Sequence, residues 1–156
     1  MKLRAFKYSK IAFVIWLAIL ICWMGFILSK SLEDAEKSSA SSQGVVEVIE
    51  EAIQKIEPDF EISNHFVRKL AHFVEFFILG FIFTLSYYIV LRDYKYHLCL
   101  SLLFGLLFSL IDESFQLLSF GRSAAINDVW LDFSAVITSV LIFALINLFI
   151  NRKKSL

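Results

Sequence analysis

Cysteine is scarce in this chain, with only Cys22 and Cys99 among 156 residues. No CxxC or His/Cys spacing accompanies them, so neither marks a zinc site. They fall in apolar runs at opposite depths, which argues against a disulfide between them and assigns both to packing. Also missing are a P-loop, an HExxH pair and a nucleophilic serine motif, so no named hydrolytic or phosphoryl-transfer chemistry is signalled. The chain shows no internal repeat. Its first apolar run follows basic residues but ends Leu28-Ser29-Lys30 without a small-x-small cleavage site, and reads as a retained anchor. Net charge is absent as a sum, +0. There is also no room for a large soluble domain, because apolar runs take up more than half the length.

What is present is hydrocarbon. The residues are 58% hydrophobic and 16% aromatic, with 17 Phe, too apolar for a soluble domain of this size. A bilayer core about 30 Å thick needs roughly 20 apolar residues per helix. Four stretches approach that length, at residues 11–28, 70–91, 98–118 and 129–150. The fold class predicted is therefore an all-α integral membrane protein, a four-transmembrane-helix bundle forming a single domain over residues 1–156. Charge sorting gives its orientation. Lys2, Arg4, Lys7 and Lys10 precede the first span, Arg92 and Lys95 separate the second and third, and Arg152, Lys153 and Lys154 follow the fourth. All then lie on one side, which the positive-inside rule makes the cytoplasm, with both termini there and residues 29–69 and 119–128 outside.

The extracytoplasmic segment 29–69 divides in two. Residues 29–44 read as a Ser-rich linker. Val45, Val48, Ile49, Ala52, Ile53 and Ile56 recur at helical spacing opposite Glu47, Glu50, Glu51 and Lys55. That pattern predicts a short amphipathic helix, ending before Pro58, on the outer membrane surface or across the bundle mouth. From Lys30 to Val67 there are nine acids and three bases. Such a face disfavours nucleic acid as a partner and admits cationic ligands. Tight connections at residues 92–97 and 119–127, the latter marked by Gly121, make hairpins of spans two and three and of spans three and four. Trp16, Trp23 and Trp130 are candidate interface anchors.

Ionisable groups inside hydrocarbon are costly, so those that persist face protein or water and carry a functional hypothesis. Arg68, His72 and Glu75, at i, i+4 and i+7, share one face at the start of the second span, with Lys69 beside them. Asp112, Glu113 and Gln116 lie near the end of the third, and Asp128 and Asp132 open the fourth just after Arg122. Three separate segments thus place ionisable side chains in the same outer third of the membrane. Five carboxylates face fewer cations there, an excess that calls for protons, water, a metal or a cationic ligand beyond any knot that only locks helices together. Asp128 also suits a helix N-terminus. Ser134, Ala135 and Ser139 permit close helix approach, and the phenylalanines Phe73, Phe76, Phe77, Phe81 and Phe83 are lipid contact and core.

The run Arg68-Lys69-Leu70-Ala71-His72, then Asp112-Glu113-Ser114-Phe115-Gln116, then Gly121-Arg122 through Asp128 to Asp132, resembles the VanZ-like family in order, spacing and membrane context. The exit of the first span at 26–31 is similar as well, so the likeness covers nearly the whole chain. Its most specific block is Asp-Glu-x-x-Gln followed by Gly-Arg. This chain departs from the pattern at Asp132, where Asn is common, at Ala135, where Gly is usual, at Ser119-Phe120, which replace a residue-Pro pair, and at Glu75, which adds a carboxylate. The resemblance implies a bacterial cell-membrane protein of a family whose founding member lowers susceptibility to the glycopeptide antibiotic teicoplanin.

Three functions compete. In the first, Arg68, Lys69, His72, Glu75, Asp112, Glu113, Gln116, Arg122, Asp128 and Asp132 form an outer-leaflet pocket for a membrane lipid, a lipid-linked envelope precursor or a lipoglycopeptide. In the second, the protein is an intramembrane enzyme on a lipid-linked substrate, with His72 and Glu113 as acid/base candidates and Arg122 on anionic oxygens. A metal on Asp112, Glu113 and Asp128 is weakly signalled, and no other cofactor is indicated. The third is a scaffold subunit of an envelope complex that docks through the amphipathic helix. No residue pattern speaks to oligomeric state.

Overall fold

A computed structural model describes residues 10–90 and 94–153. They form five helices: α1 (Lys10–Ser31), α2 (Ala35–Ile53), α3 (Asn64–Val90), α4 (Tyr94–Gln116) and α5 (Ile126–Lys153). No strand occurs among the described residues. Long runs of Leu, Ile and Phe without proline keep every interior backbone group bonded within its own helix, as hydrocarbon requires. Three helices are long and apolar enough to cross a membrane, over Val14–Ser31, Tyr96–Gln116 and Ile126–Arg152. The chain is thereby a membrane protein by the character of its helices. α3 is 27 residues long but opens on a charged face, with Arg68, Lys69 and Glu75 in its first half. Of the basic residues expected to orient the chain, Lys2, Arg4, Lys7, Arg92 and Lys154 lie outside the described residues.

α3 packs most extensively against α5, and α4 closes against both. Ile27, Phe76, Leu79, Phe83, Phe108, Ala135, Val136 and Val140 form the buried core. At its centre the helices nearly touch. A Cβ placed on Gly80 would lie 2.2 Å from Ser139 Oγ and 2.9 Å from Val136 Cα, and one on Gly105 would lie 2.5 Å from Val136 Cγ1. Val136 of α5 therefore sits in a slot that exists because α3 and α4 each present a hydrogen where other residues carry a side chain. Ala135 and Ser139, both fully buried, are the small residues that let α5 approach.

α1 packs on α3 and α4 and is held by its indoles. Trp16 Nε1 donates to Ser86 Oγ at 2.6 Å and Trp23 Nε1 donates to the Glu75 carbonyl at 3.1 Å. Trp16 and Trp23 thus fasten α1 to α3, and Trp130 is 60% exposed. Cys22 and Cys99 are free and exposed on their helices. Their predicted packing role is corrected: they face the medium around the bundle.

α2 differs most from expectation. The stretch 35–44, read as linker, is helical, and the helix starts at Ala35 behind Asp34. Serine is a weak helix former, but here tertiary contact decides, since Ser38 and Val46 are buried against the body of the protein. The apolar face is also rotated from the predicted one. Val46 is buried, whereas Val45, Val48 and Ile56 are exposed. Ser38 and Val46 meet the body of the protein, and Val45 and Ile49 border the cavity beneath the helix. The loop 117–125 turns through Gly121, whose φ of 75° is the left-handed conformation that glycine adopts without strain.

The Val136 slot has a direct test. Gly80→Leu is expected to lower stability by about 1–3 kcal/mol or prevent accumulation of folded protein, by overpacking against backbone. Gly25→Ala, where a new Cβ meets nothing within 4 Å, should leave the melting temperature in detergent unchanged or slightly higher. Equal melting of the two variants would refute the slot.

Candidate functional site

The C-terminus of α1, the start of α3, the end of α4 and the start of α5 meet at one end of the bundle, and their polar side chains turn toward one another. α4 contributes the most deeply placed group. Asp112 is 0% exposed, and its two oxygens are held from different helices. Ser31 Oγ donates to Asp112 Oδ1, and Gln116 Nε2 donates to Oδ2 at 3.1 Å. The same serine, the last residue of α1, ties that helix to the α4–α5 loop. Its carbonyl accepts from Ser119 Oγ at 2.8 Å and from Arg122 Nη1 at 3.3 Å. Ala35 N donates to the Phe120 carbonyl at 3.1 Å, and Phe120 N donates to Asp34 Oδ1 at 3.0 Å. The two loops thus clasp each other reciprocally. Gly121 belongs to the clasp, since a Cβ there would come within 3.3 Å of Ala35 Cβ.

Two cavities flank these contacts. A polar cavity of about 330 Å³ is lined by Arg68, Lys69 and His72 from α3, Gln116 from α4, Arg122 from the loop, and Asp128 and Asp132 from α5. A second, of about 520 Å³, runs beneath α2 between α1 and α3 and is mostly apolar, with Trp23, Phe26, Val45, Ile49, Leu70 and Val74 in its walls. Arg68, His72 and Arg122 line both. At the second cavity's edge Glu33 pairs with Lys30 at 3.0 Å and with Lys37 at 3.3 Å. Partial burial pushes the Glu33 carboxyl up, but the two ammonium groups outweigh it and hold the pKa below its ordinary value.

The charges within the polar cavity are unevenly matched. Lys69 Nζ pairs with Asp128 Oδ1 at 3.2 Å. Arg122 spends one nitrogen on the Ser31 carbonyl, and its buried Nε has no hydrogen-bond partner among the described residues. Burial, and after it the nearby Arg68, lower the Arg122 pKa from its ordinary value, against the pull of Asp112, Glu33 and Glu113. A partly buried guanidinium beside a second one is a site that favours an anion. Asp132 is 1% exposed with both oxygens unpartnered among the described residues, and His72 Nδ1 faces it at 4.0 Å, too far for a hydrogen bond.

The sequence-predicted residues therefore divide into three groups. Arg68, Lys69, His72, Gln116, Arg122, Asp128 and Asp132 share the polar cavity, with Asp112 behind it. Glu75 faces the other way, lining the apolar cavity with Lys30 and Glu33. Glu113 serves the loop, accepting from Ala125 N at 2.5 Å. The acids gathered with His72 are Asp112 and Asp132, not the Glu113 considered as its acid/base companion. Of the weakly signalled metal candidates Asp112, Glu113 and Asp128, only Asp112 belongs to that gathering. Sequence reasoning missed Ser31, Ser119 and His65. Ser31 is one of several serines closing an apolar run, and only the fold reveals that its hydroxyl meets a residue 81 positions away.

A family model described as VanZ/LLP1 matches residues 16–147, from α1 through most of α5. No curated protein and no solved structure matches the chain.

Ser31→Ala removes the donor to Asp112 at a fully buried position, and is expected to cost about 1–3 kcal/mol of stability. Ser29→Ala loses only an exposed bond to the Phe26 carbonyl and should cost little. Thermal unfolding of both in detergent checks this, and a Ser31→Ala protein that melts like wild type would remove the serine from the structural account.

Proposed function

The chain belongs to the VanZ/LLP1 family, and from that premise we propose that it is a multi-pass bacterial cell-membrane protein that binds the head of a lipid-like molecule and so lowers susceptibility to lipoglycopeptide antibiotics such as teicoplanin. In this reading α3 is a fourth span, both termini are cytoplasmic, and α2 lies on the extracytoplasmic side. The polar cavity faces the outer leaflet.

The observation that carries the reading is the pair of cavities with a common wall. An amphiphile needs a place for charge beside a place for hydrocarbon. Here Arg68 and Arg122 stand between a polar cavity and an apolar one. Two guanidiniums at that border suit a phosphate or carboxylate, which they bind through paired N–H donors. The apolar trough beneath α2 suits an acyl or isoprenoid chain. A lipid-linked envelope precursor and a lipidated glycopeptide share this chemistry, and competition for one site would keep drug from target.

The test is susceptibility of cells to teicoplanin and to a non-lipidated glycopeptide, with wild type, Arg68→Ala, Arg122→Ala and the lipid-facing control Phe149→Leu at matched membrane abundance. Phe149 is 67% exposed near the far end of α5. Protection by wild type is expected to be selective for teicoplanin. Each arginine variant should lose it, since removal of a charged hydrogen-bond donor weakens anion binding by roughly 10- to 100-fold, about 1.5–3 kcal/mol. Equal protection against both drugs, or full protection by the arginine variants, would count against the proposal.

A second reading rests on His72, whose neighbours in the bundle are two buried carboxylates. That arrangement suits acid–base chemistry on a lipid-linked substrate at the same site. His72→Ala and Asp132→Asn should then abolish turnover at unchanged protein level, and full activity in both removes the reading.

A further inference from the structure

Three helices bring one imidazole and two carboxylates to a point. His72 of α3, Asp112 of α4 and Asp132 of α5 each offer a ligand atom, and these atoms lie within 4.8 Å of one another. From this geometry we infer that the three residues form a binding site for a divalent transition-metal ion such as Zn²⁺ or Mn²⁺.

The distances fit. A triangle with sides of 4.8 Å has its centre about 2.8 Å from each corner. Bonds of about 2.0–2.2 Å then require each side chain to move inward by only several tenths of an ångström. The 4.0 Å between His72 Nδ1 and Asp132 Oδ1 is too long for a hydrogen bond, yet it lies within the span of two ligands on one ion. Mixed nitrogen and oxygen donors favour the borderline first-row ions over Ca²⁺ or Mg²⁺.

A cluster of acids is not in itself a site, and here the independent observation is Asp132. Its carboxylate is 1% exposed, both oxygens lack a hydrogen-bond partner among the described residues, and it points at His72. His72 Nδ1 is likewise buried and unpartnered. Unpartnered buried groups of this kind are costly. Lys69 is taken up by Asp128, and neither Arg68 nor Arg122 hydrogen-bonds the Asp132 carboxylate although both line the cavity. A divalent ion satisfies the nitrogen and the carboxylates together.

The surroundings resemble those of a metal centre rather than an ion-pair knot. Asp112 is oriented by Ser31 Oγ on one oxygen and Gln116 Nε2 on the other, which is how outer residues fix a ligand carboxylate. The ligands sit on helices locked together by the Val136 slot, not on loops. Because His72 and Asp132 also line the polar cavity, the remaining coordination positions open toward it and toward Arg122. Such an ion would hold an anionic oxygen together with the two arginines. The inference itself does not depend on the headgroup reading.

The experiment is metal binding by the full chain in lipid nanodiscs, stripped with chelator and titrated with ZnCl₂ or MnCl₂ alone. Wild type is expected to take up about one ion per chain. Asp132→Asn and Asp112→Asn should bind roughly 100-fold more weakly or worse, because each removes a direct ligand. Glu47→Gln, at an exposed position on α2 away from both cavities, should bind as wild type does. Thermal melting of the metal-free proteins identifies any variant that fails to fold. Electron spin echo modulation of the Mn²⁺-loaded wild type supplies a readout that needs no variant, with coupling to one imidazole nitrogen expected. Absence of binding in wild type, absence of that coupling, or unchanged affinity in a folded Asp132→Asn protein would each overturn the site.

Discussion

The closeness of α5 to α3 and α4 at Val136 is the constraint on which everything above it depends. In lipid no hydrophobic gain drives one apolar helix onto another, so association rests on packing density and on polar contacts. Gly80 and Gly105 supply the first by letting Val136 reach the neighbouring helices, one nearly at backbone distance. With the helices fixed at that depth, their ends have little freedom. The side chains one to three turns further along, His72, Asp112 and Asp132, must then meet. A looser bundle would let water between them and abolish the special environment of each.

Polar contact completes what packing starts, and Ser31 is its hub. The hydroxyl engages α4 while the carbonyl receives two donors from the α4–α5 loop. A helix terminus ordinarily leaves its last carbonyls without intrahelical donors. Here one of them is bonded by the arginine that also lines both cavities, so the end of α1 is part of the site's architecture rather than its boundary.

Much of this was legible in the sequence, and for identifiable reasons. Apolar runs of membrane length announced α1, α4 and α5, and the i, i+4, i+7 spacing of Arg68, His72 and Glu75 announced a polar helix face. The convergence of that face with Asp112 and Asp132 followed from the order of the spans alone. Other features depended on tertiary contact. Residues 35–44 looked like linker because serine is intrinsically indifferent to helix, and they became helix because Ser38 packs on the body of the protein. Glu75 shares a face with Arg68 and both reach the apolar cavity, yet only Arg68, two turns nearer the helix start, also lines the polar one. Glu113, adjacent in sequence to Asp112, points about 100° away and finds a loop amide instead.

The clasp between Asp34-Ala35 and Phe120 makes the polar and apolar cavities mechanically dependent. α2 roofs the apolar one, and the loop carrying Gly121 and Arg122 walls the polar one. One backbone–backbone hydrogen bond, one from the Phe120 amide to the Asp34 carboxylate, and a near contact of Gly121 with Ala35 join roof to wall. Lifting the roof to admit a chain pulls on the segment that presents the guanidinium. By thermodynamic reciprocity, whatever steadies that segment also steadies the roof. For the amphiphile proposed above, hydrocarbon and charge would be recognised as one coupled event, and a molecule bearing only one of them would engage half of a lever.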